Sequence, residues 1–581
     1  MPDAQIGTSA HPGKISLRQC LDGLRSEWSW FAQPFLNGEF AAWIGSAVSM
    51  ERLPNLKSLL QKLLASLHQE IDPKNDACPY KAALKDILGL VSWPLEEVDW
   101  TAPPDRWKRF DQLLSSLVSK YSVVLGILIE GEEENSILWK HLQILETYGD
   151  PGMQPDADHL FLALLVEEGF LQEIVTTNWD ALIESANESF RDELTLSVVA
   201  SSEDLQLIRS PLLLKIHGCA RLGRLKPEQY RRWIVATGYQ ISNWNSDPEW
   251  LPHREKLQSL IRERRALFVG LSGQDHNVLE SIMRAVIPHK RGQEERGWVV
   301  FAKEKLEQPQ AMILKALYGS QGAQERRQIN QTALVPLYSK PLLGSLYVFC
   351  LFEKARFFLE GADDLQSELK QLAKQKLDDF EERICAHFDA VEDANRRWRL
   401  MALRLSKAVG RLVRLFREQT VEGRIGYRAL HPGNLQDLER DNTLSGQGYD
   451  RLILLLAAIQ GAADRGKWLL KFFLNWRDER GQLVVQTGDR KLKIFVFQRA
   501  ELGYAKLLAA GWADDLESNS DTVVIYAMGW PQPPRRNEPE HDYRSQRPGG
   551  PLEVYLEKLL DDCRKNPQDL IDALRLTLQA A

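Results

Sequence analysis

Five short aliphatic runs, each ending in a polar or glycine-bearing turn, constrain this chain more than any other feature. They are Phe40–Ala47, Leu171–Asp180, Leu212–Gly218, Arg265–Ser272 and Gly297–Ala302. Amphipathic stretches with apolar residues at three- and four-residue spacing alternate with these runs, which is typical of parallel strands covered by helices. Because ligands bind at the carboxyl ends of the strands in such a sheet, the turns after the runs are the candidate site.

The chain divides into four predicted parts. An N-terminal segment (1–30) precedes an α/β domain (31–355) with a helical insertion at about 51–168; a helical connector (356–420) and a smaller α/β domain (421–581) follow. The last domain includes a predicted hairpin around Gly488 and is expected to serve regulation or assembly. The fold class is therefore α/β: a Rossmann-like parallel sheet with a helical insertion, a helical connector and a smaller α/β C-terminal domain.

Composition excludes several classes of protein. The 581 residues are 44% hydrophobic and 26% charged, which is ordinary globular usage, and the net charge of −7 gives no overall positive field for nucleic acid. No apolar stretch reaches the roughly 20 residues of a membrane span, and no signal peptide is recognisable at the N-terminus. Six cysteines without a CxxC pair predict neither a disulfide scaffold nor a zinc site. A cytoplasmic protein is expected.

Three of the turns carry residues suited to chemistry. The small residues Gly45–Ser49 would let backbone N–H groups approach a pyrophosphate, although close helix packing is the more common reason for such a turn. The segment Thr176–Asp180 could grip a ribose or position a water, or could form an ordinary Asx turn. His217 directly follows an apolar strand, where an imidazole suits acid–base chemistry, but a lone histidine at such a position is more often structural.

The order of these turns is more informative than any one of them. G-S-A-V-S, T-T-N-W-D, K-I-H-G and the late G-L-S at Gly270 each end a predicted strand. This series resembles the sirtuin family of NAD-dependent enzymes, in which the matching pieces are G-A-G-x-S, T-Q-N-x-D, H-G and G-x-S. The resemblance covers roughly residues 30–305 and makes residues 31–355 a sirtuin-like, NAD-binding catalytic domain.

The resemblance implies a role for each matching residue. The residues expected to bind NAD are Gly45, Ser46, Ala47 and Ser49 at the pyrophosphate, Thr176 beside the nicotinamide ribose, and Gly270, Ser272 and Asp275 at the adenosine half. The catalytic residues would be Asn178 and Asp180, which hold the nicotinamide ribose, and His217, which moves a proton. A helix cap explains Asp275 equally well, and Asp180 is open between a catalytic and a structural role.

The departures from the family pattern narrow the function. Ala47 replaces the second glycine, Thr177 and Trp179 replace the usual glutamine and small aliphatic residue, and Cys219 stands alone where protein-deacylating sirtuins carry four zinc cysteines. No zinc is therefore expected. With the long insertion and the unrelated C-terminal domain, the chain resembles the bacterial sirtuin-like proteins of antiphage defence. That resemblance implies an NAD glycohydrolase that depletes NAD on infection, with NAD as its substrate.

Other functions and partners stay open at this level. The same residues could serve NAD-dependent protein deacylation or ADP-ribosyl transfer, or could form a non-catalytic module that senses NAD or ADP-ribose. A regulated effector of this kind implies a homo- or hetero-oligomer and a second defence protein, such as an ATPase, an Argonaute, or a nucleotide or phage sensor. The arginine-rich stretch 396–417 suggests a solvated helix face before it suggests nucleic acid. Gly461–Lys467 has the spacing of a phosphate loop but is followed by Trp468 where Ser or Thr is required.

Overall fold

The computed structural model describes most of the chain. The described residues are 15–191, 194–271, 297–319, 323–418, 426–471, 483–487, 490–499, 507–509, 521–529, 544–546, 551–563 and 567–580, together with 280, 282 and 284. Two β-sheets and a layer of long helices make up this part of the protein. None of its helices combines the length with the apolar character that a membrane span requires.

The first sheet has seven strands in the order β3-β4-β2-β1-β5-β6-β7, and every pair is parallel. The strands are β1 Phe40–Ile44, β2 Glu173–Thr176, β3 Ser197–Val199, β4 Leu212–Lys215, β5 Arg265–Val269, β6 Val299–Ala302 and β7 Leu334–Val335. All five predicted strands are confirmed, and so is the α/β class. The sequence did not predict β3 and β7, because runs of three and two residues carry too little hydrophobic periodicity.

The strand order places β1 at the centre of the sheet. The chain moves to one side of β1 for β2, β3 and β4 and then crosses to its other side for β5, β6 and β7. In an open parallel sheet such a reversal leaves a crevice at the carboxyl ends of the central strands, and ligands bind there. The predicted site therefore lies at the topological switch point.

Helices surround this sheet and fill the predicted insertion. They are Leu17–Arg25, Ser29–Leu36, Leu56–Gln69, Pro79–Gly89, Phe110–Val118, Tyr121–Leu125, Ile144–Tyr148, Ala157–Glu167, Leu182–Phe190, Ala220–Leu225, Pro227–Tyr230, Gly238–Asn243, Leu251–Glu263, Gln308–Tyr318 and Ala323–Gln331. The helices between residues 56 and 148 share a hydrophobic cluster that includes Leu63, Leu84 and Leu117. Helix Ala157–Glu167 belongs instead to the main cluster with β1 and β2, and all its residues are buried.

The C-terminal half adds a second sheet and more helices. Its helices are Ser339–Glu360, Ser367–Asp389, Ala394–Glu418, Leu435–Arg440, Tyr449–Gly466, Leu556–Asp562 and Pro567–Ala580. Its strands are β8 Leu469–Lys471, β9 Leu483–Thr487, β10 Arg490–Arg499, β11 Thr522–Met528, β12 Arg544–Gln546 and β13 Leu552–Tyr555, in the order β12-β13-β11-β10-β9-β8. The predicted hairpin is confirmed, since β9 and β10 pair antiparallel with Thr487 opposite Arg490. The motif ending at Lys467 begins inside a helix, where Gly461 packs against Ile571, and so it forms no phosphate loop.

One fully buried ion pair joins the two halves. Lys354 Nζ lies 2.7 Å from Glu168 Oε2, and neither side chain is exposed. Lys354 also donates to the carbonyl oxygens of Glu168, at 2.6 Å, and of His431. The other carboxylate oxygen of Glu168 accepts the backbone N–H of Leu430 at 3.1 Å and the hydroxyl of Tyr427. The carboxylate and ammonium are thus bonded on all sides, as buried charges must be.

Removing one member of this pair should destabilise the protein strongly. Lys354→Met leaves Glu168 as a buried charge without its counterion, so we expect the free energy of unfolding to fall by about 3–5 kcal/mol. Urea denaturation followed by fluorescence measures this loss. The matched control is Lys374→Met, whose ammonium pairs with Glu360 in a more exposed position and should change the value by no more than about 0.5 kcal/mol. Equal effects of the two variants would contradict the role of the pair.

Candidate active site

The turn after β1 is locked to the turn after β5. Gly45 donates its backbone N–H to the Val269 carbonyl at 3.0 Å, and Ala47 donates to the Gly270 carbonyl at 3.3 Å. A Cβ on Gly45 would lie 2.4 Å from the Gly270 oxygen, and Gly270 has a positive φ of +67°. Both glycines are therefore required by the close approach of two backbones. Residues Ser46–Ser49 continue as a short 3₁₀ helix with Ser46 and Ala47 exposed.

The segment after β2 is tied to this turn by side chains. Thr176 Oγ1 donates to the Ile44 carbonyl at 3.0 Å and accepts the backbone N–H of Asn178 at 3.0 Å. The Asn178 amide Nδ2 donates to the Gly45 carbonyl and to Ser49 Oγ, both at 3.3 Å. Its Oδ1 is buried and has no protein partner. An unpaired buried acceptor costs about 1–3 kcal/mol, so this oxygen marks a position where a ligand donor would fit.

His217 stands beside Asn178 at the same edge of the sheet. Thr176 on β2 is in register with Lys215 on β4, and each of the two site residues follows two positions later. Neighbouring parallel strands lie about 4.8 Å apart, so the segments that carry the amide and the imidazole leave the sheet next to each other. His217 is 5% exposed. Gly218 has a φ of +81° and lies against the Trp233 carbonyl, which fixes the turn that follows.

Asp180 contacts the start of the next helix and the buried side chain of Lys215. Its Oδ1 accepts the backbone N–H of Leu182 at 3.1 Å, at the start of helix Leu182–Phe190, and its carbonyl accepts a hydrogen bond from Lys215. Lys215 also pairs with Glu184 at 2.9 Å in the interior. Burial lowers the pKa of Lys215, but nearby Cys219, Glu184 and Asp180 outweigh it and raise the pKa above its ordinary value. The ammonium therefore stays charged and holds this segment in place.

The helical insertion contacts the site through Trp179. Its ring lies edge to face with that of Tyr148, with centroids 5.6 Å apart, and its Nε1 donates to the Val235 carbonyl at 3.2 Å. Tyr148 in turn donates its hydroxyl to the Pro54 carbonyl at 3.0 Å. The aromatic residue that departs from the family pattern thus joins the site segment to the insertion.

Ser49 also contacts a polar cluster that the sequence did not reveal. His159 Nε2 lies 3.1 Å from Ser49 Oγ, and Asp156 pairs with Arg52 at 3.1 Å and with Lys340 at 2.9 Å. Helix Ala157–Glu167 begins directly after Asp156, with a capping box between Asp156 and His159. Their contacts to the site were not predictable, because no local pattern relates residues that lie over 100 positions apart.

Two predicted residues, Ser272 and Asp275, lie outside the described residues. Among the remaining predicted residues, the structure brings Gly45, Ser46, Ala47, Ser49, Thr176, Asn178, Asp180, His217 and Gly270 to one edge of the sheet. In the described part of the chain no group of three or more His, Cys, Asp and Glu side chains could hold a metal ion. Cys219 is buried against Glu184, and burial raises the pKa of its thiol to about 11.

Comparison with known protein families agrees with this arrangement. Residues 172–321 match the SIR2-like domain. The match begins at β2 and extends past β6, so it contains Asn178, His217 and Gly270 but not the turn at Gly45. The insertion separates that turn from the matched region in sequence, and the sheet brings it back beside β2 and β5. No curated protein shows significant similarity to the chain. A SIR2-like domain indicates an activity that involves NAD.

The cluster beside Ser49 predicts a dependence of stability on pH. Asp158 is fully buried, its Oδ1 has no partner, and burial raises the pKa of its carboxyl to about 7. In the unfolded chain the pKa is about 4, so the folded state holds the proton over a window in which the unfolded state has lost it. The contribution of this group to stability is therefore present below pH 4 and is lost as the pH rises to 7.

Asp158→Asn should abolish this loss. We expect the variant to gain stability relative to the parent protein as the pH is raised from 5 to 8, by on the order of 2 kcal/mol. Urea denaturation across this range measures the difference. Asp150→Asn, at an exposed position, controls for the change of charge. An unchanged difference between variant and parent across the range would show that Asp158 does not titrate there.

Proposed function

We propose that this protein hydrolyses NAD to nicotinamide and ADP-ribose, and that Asn178 and His217 carry the reaction. The observation that carries the proposal is the buried, unpartnered Oδ1 of Asn178 beside His217 at the switch point of the sheet. The match of residues 172–321 to the SIR2-like domain supports NAD as the substrate. The residues present suit this ligand, because a ribose hydroxyl could donate a hydrogen bond to the unpartnered Oδ1 of Asn178.

The reaction needs little covalent chemistry from the protein. The bond between nicotinamide nitrogen and the ribose anomeric carbon breaks, and its electron pair leaves with nicotinamide as a neutral base. A water oxygen forms the new bond to that carbon, and the water proton passes to His217 and then to solvent. Asn178 would hold the ribose against rotation as positive charge develops at the anomeric carbon. Positioning and proton transfer are therefore the two tasks of the site.

The turns on either side of this pair would bind the remainder of NAD. Gly45 and Ala47 already donate their N–H groups to the turn after β5, so pyrophosphate contacts from this turn would come chiefly from the exposed Ser46. Gly270, with Ser272 and Asp275 beyond it, would border the adenosine half. Asp180 would act through the position of its segment, since its carboxylate accepts the backbone N–H of Leu182 at the start of the following helix.

We further propose that the protein is a regulated effector that depletes NAD on phage infection. An enzyme that destroys a central cofactor must be silent in healthy cells, so control by oligomerisation or by a second defence protein is expected. The C-terminal half, which contacts Glu168 just before the SIR2-like region through Lys354, is the candidate for this control. An ATPase, an Argonaute, or a nucleotide or phage sensor would each fit as the partner.

The function predicts that Asn178→Ala and His217→Ala each lower NAD cleavage at least about 100-fold. Nicotinamide and ADP-ribose are followed by chromatography with purified full-length protein, alone and with extract from phage-infected cells. The matched controls are Asn187→Ala and His253→Ala, because both residues are buried and hydrogen-bonded outside the site. We expect the controls to lose stability but to retain turnover.

The same experiment separates the alternatives. NAD bound by the parent protein without release of nicotinamide under either condition would overturn hydrolysis in favour of a sensing module. Transfer of ADP-ribose to protein, or removal of an acyl group from a peptide in the presence of NAD, would be seen by mass spectrometry. Either result would assign the same residues to a different acceptor.

A further inference from the structure

The protonation of His159 is determined by its neighbours. The side chain is fully buried in the first turn of helix Ala157–Glu167, and its Nδ1 accepts the backbone N–H of Asp156 at 3.2 Å. Burial lowers the pKa of His159 to about 4, so the ring is neutral at neutral pH. Because Nδ1 accepts, the single ring proton resides on Nε2, and Nε2 donates to Ser49 Oγ at 3.1 Å.

This tautomer sets the direction of the Ser49 hydroxyl. A hydroxyl oxygen has two acceptor positions and one proton. Ser49 Oγ accepts from His159 and also from Asn178 Nδ2 at 3.3 Å, so both acceptor positions are used. Ser49 can then only donate to a further group. With the opposite tautomer Ser49 would donate to the ring and would offer a ligand no proton.

The Gly45 carbonyl sets the orientation of the Asn178 amide. One proton of Nδ2 goes to Ser49 and the other to the Gly45 carbonyl, so a half-turn of the amide would place Oδ1 against the Gly45 oxygen and lose that bond. Oδ1 is the atom that remains without a partner. The site therefore offers a ligand one donor, from Ser49, and one acceptor, from Asn178, and a hydroxyl group complements both.

We infer that His159 is a positioning residue of this site, which directs the Ser49 hydroxyl proton toward a hydroxyl of the substrate beside the amide oxygen of Asn178. The inference rests on the proposed NAD hydrolysis and adds a residue outside the four strand-end segments. His159 also has a structural task, since it completes the capping box with Asp156. The test must separate the two tasks.

Two substitutions of His159 each keep one of the two hydrogen bonds of the ring and remove the other. His159→Asn places an amide oxygen at the bond separation of Nδ1, so it can still accept the Asp156 N–H but cannot reach Ser49. His159→Gln places an amide nitrogen at the bond separation of Nε2, so it can still donate to Ser49. Ser49→Ala removes the group through which the ring acts.

We expect His159→Asn and Ser49→Ala each to lower kcat about 100-fold, because a Ser49 hydroxyl that is removed or free to turn no longer holds the ribose for reaction. His159→Gln should restore kcat to within about 5-fold of the parent protein. Thermal unfolding of each variant accounts for the structural task, and KM is measured separately from kcat. Equal losses for the Asn and Gln variants, or a loss that follows the unfolding temperature alone, would overturn the inference while NAD hydrolysis by the parent protein stands.

The tautomer itself is open to a test that needs no activity. Histidine labelled with ¹⁵N gives separate signals for protonated and unprotonated ring nitrogens, and the signals absent from His159→Gln belong to His159. We expect a protonated Nε2 and an unprotonated Nδ1 at pH 7. The opposite assignment would overturn the inference directly. If the parent protein neither binds nor cleaves NAD, the proposed function fails, and the role in positioning the substrate fails with it.

Discussion

The central position of β1 is the constraint on which the site depends. With β2 on one side of it and β5 on the other, the turns after all three strands meet at one edge of the sheet. The contact between Gly45 and the Gly270 backbone is possible only because both turns lack side chains there. A crevice that can hold a nucleotide at this point is thus a consequence of chain order before it is a consequence of any one side chain.

Helix Ala157–Glu167 connects this edge to the rest of the molecule. At its first turn Asp156 and His159 contact Lys340 and Ser49, and immediately after its last turn Glu168 pairs with Lys354. Both lysines belong to helix Ser339–Glu360, so ion pairs join the two helices at both ends. The first pair borders the site and the second borders the residues around His431 of the C-terminal half.

The polar groups of the site differ in whether the fold supplies them with hydrogen-bond partners. The Asp180 carboxylate, a predicted catalytic group, bonds the start of a helix, and Asp156 bonds a helix start and two cations. Neutral Asn178, by contrast, has an oxygen without a partner while both its amide protons are used. An unfilled acceptor at the switch point is a stronger indication of a binding site than a charged group that the fold already satisfies.

Much of this was determined by the sequence alone. Short apolar runs ending in turns predicted the five longer strands of the first sheet. The order of those turns carried the resemblance that the SIR2-like match supports. Strand type and turn chemistry are local properties, and periodicity over a few residues encodes them. The partners of Ser49, the contact of Asp180 with Lys215 and the pairing of Glu168 with Lys354 were decided only by the tertiary structure. These contacts join residues far apart in sequence, and a buried polar group takes its role from whichever donors and acceptors the packed chain brings within reach.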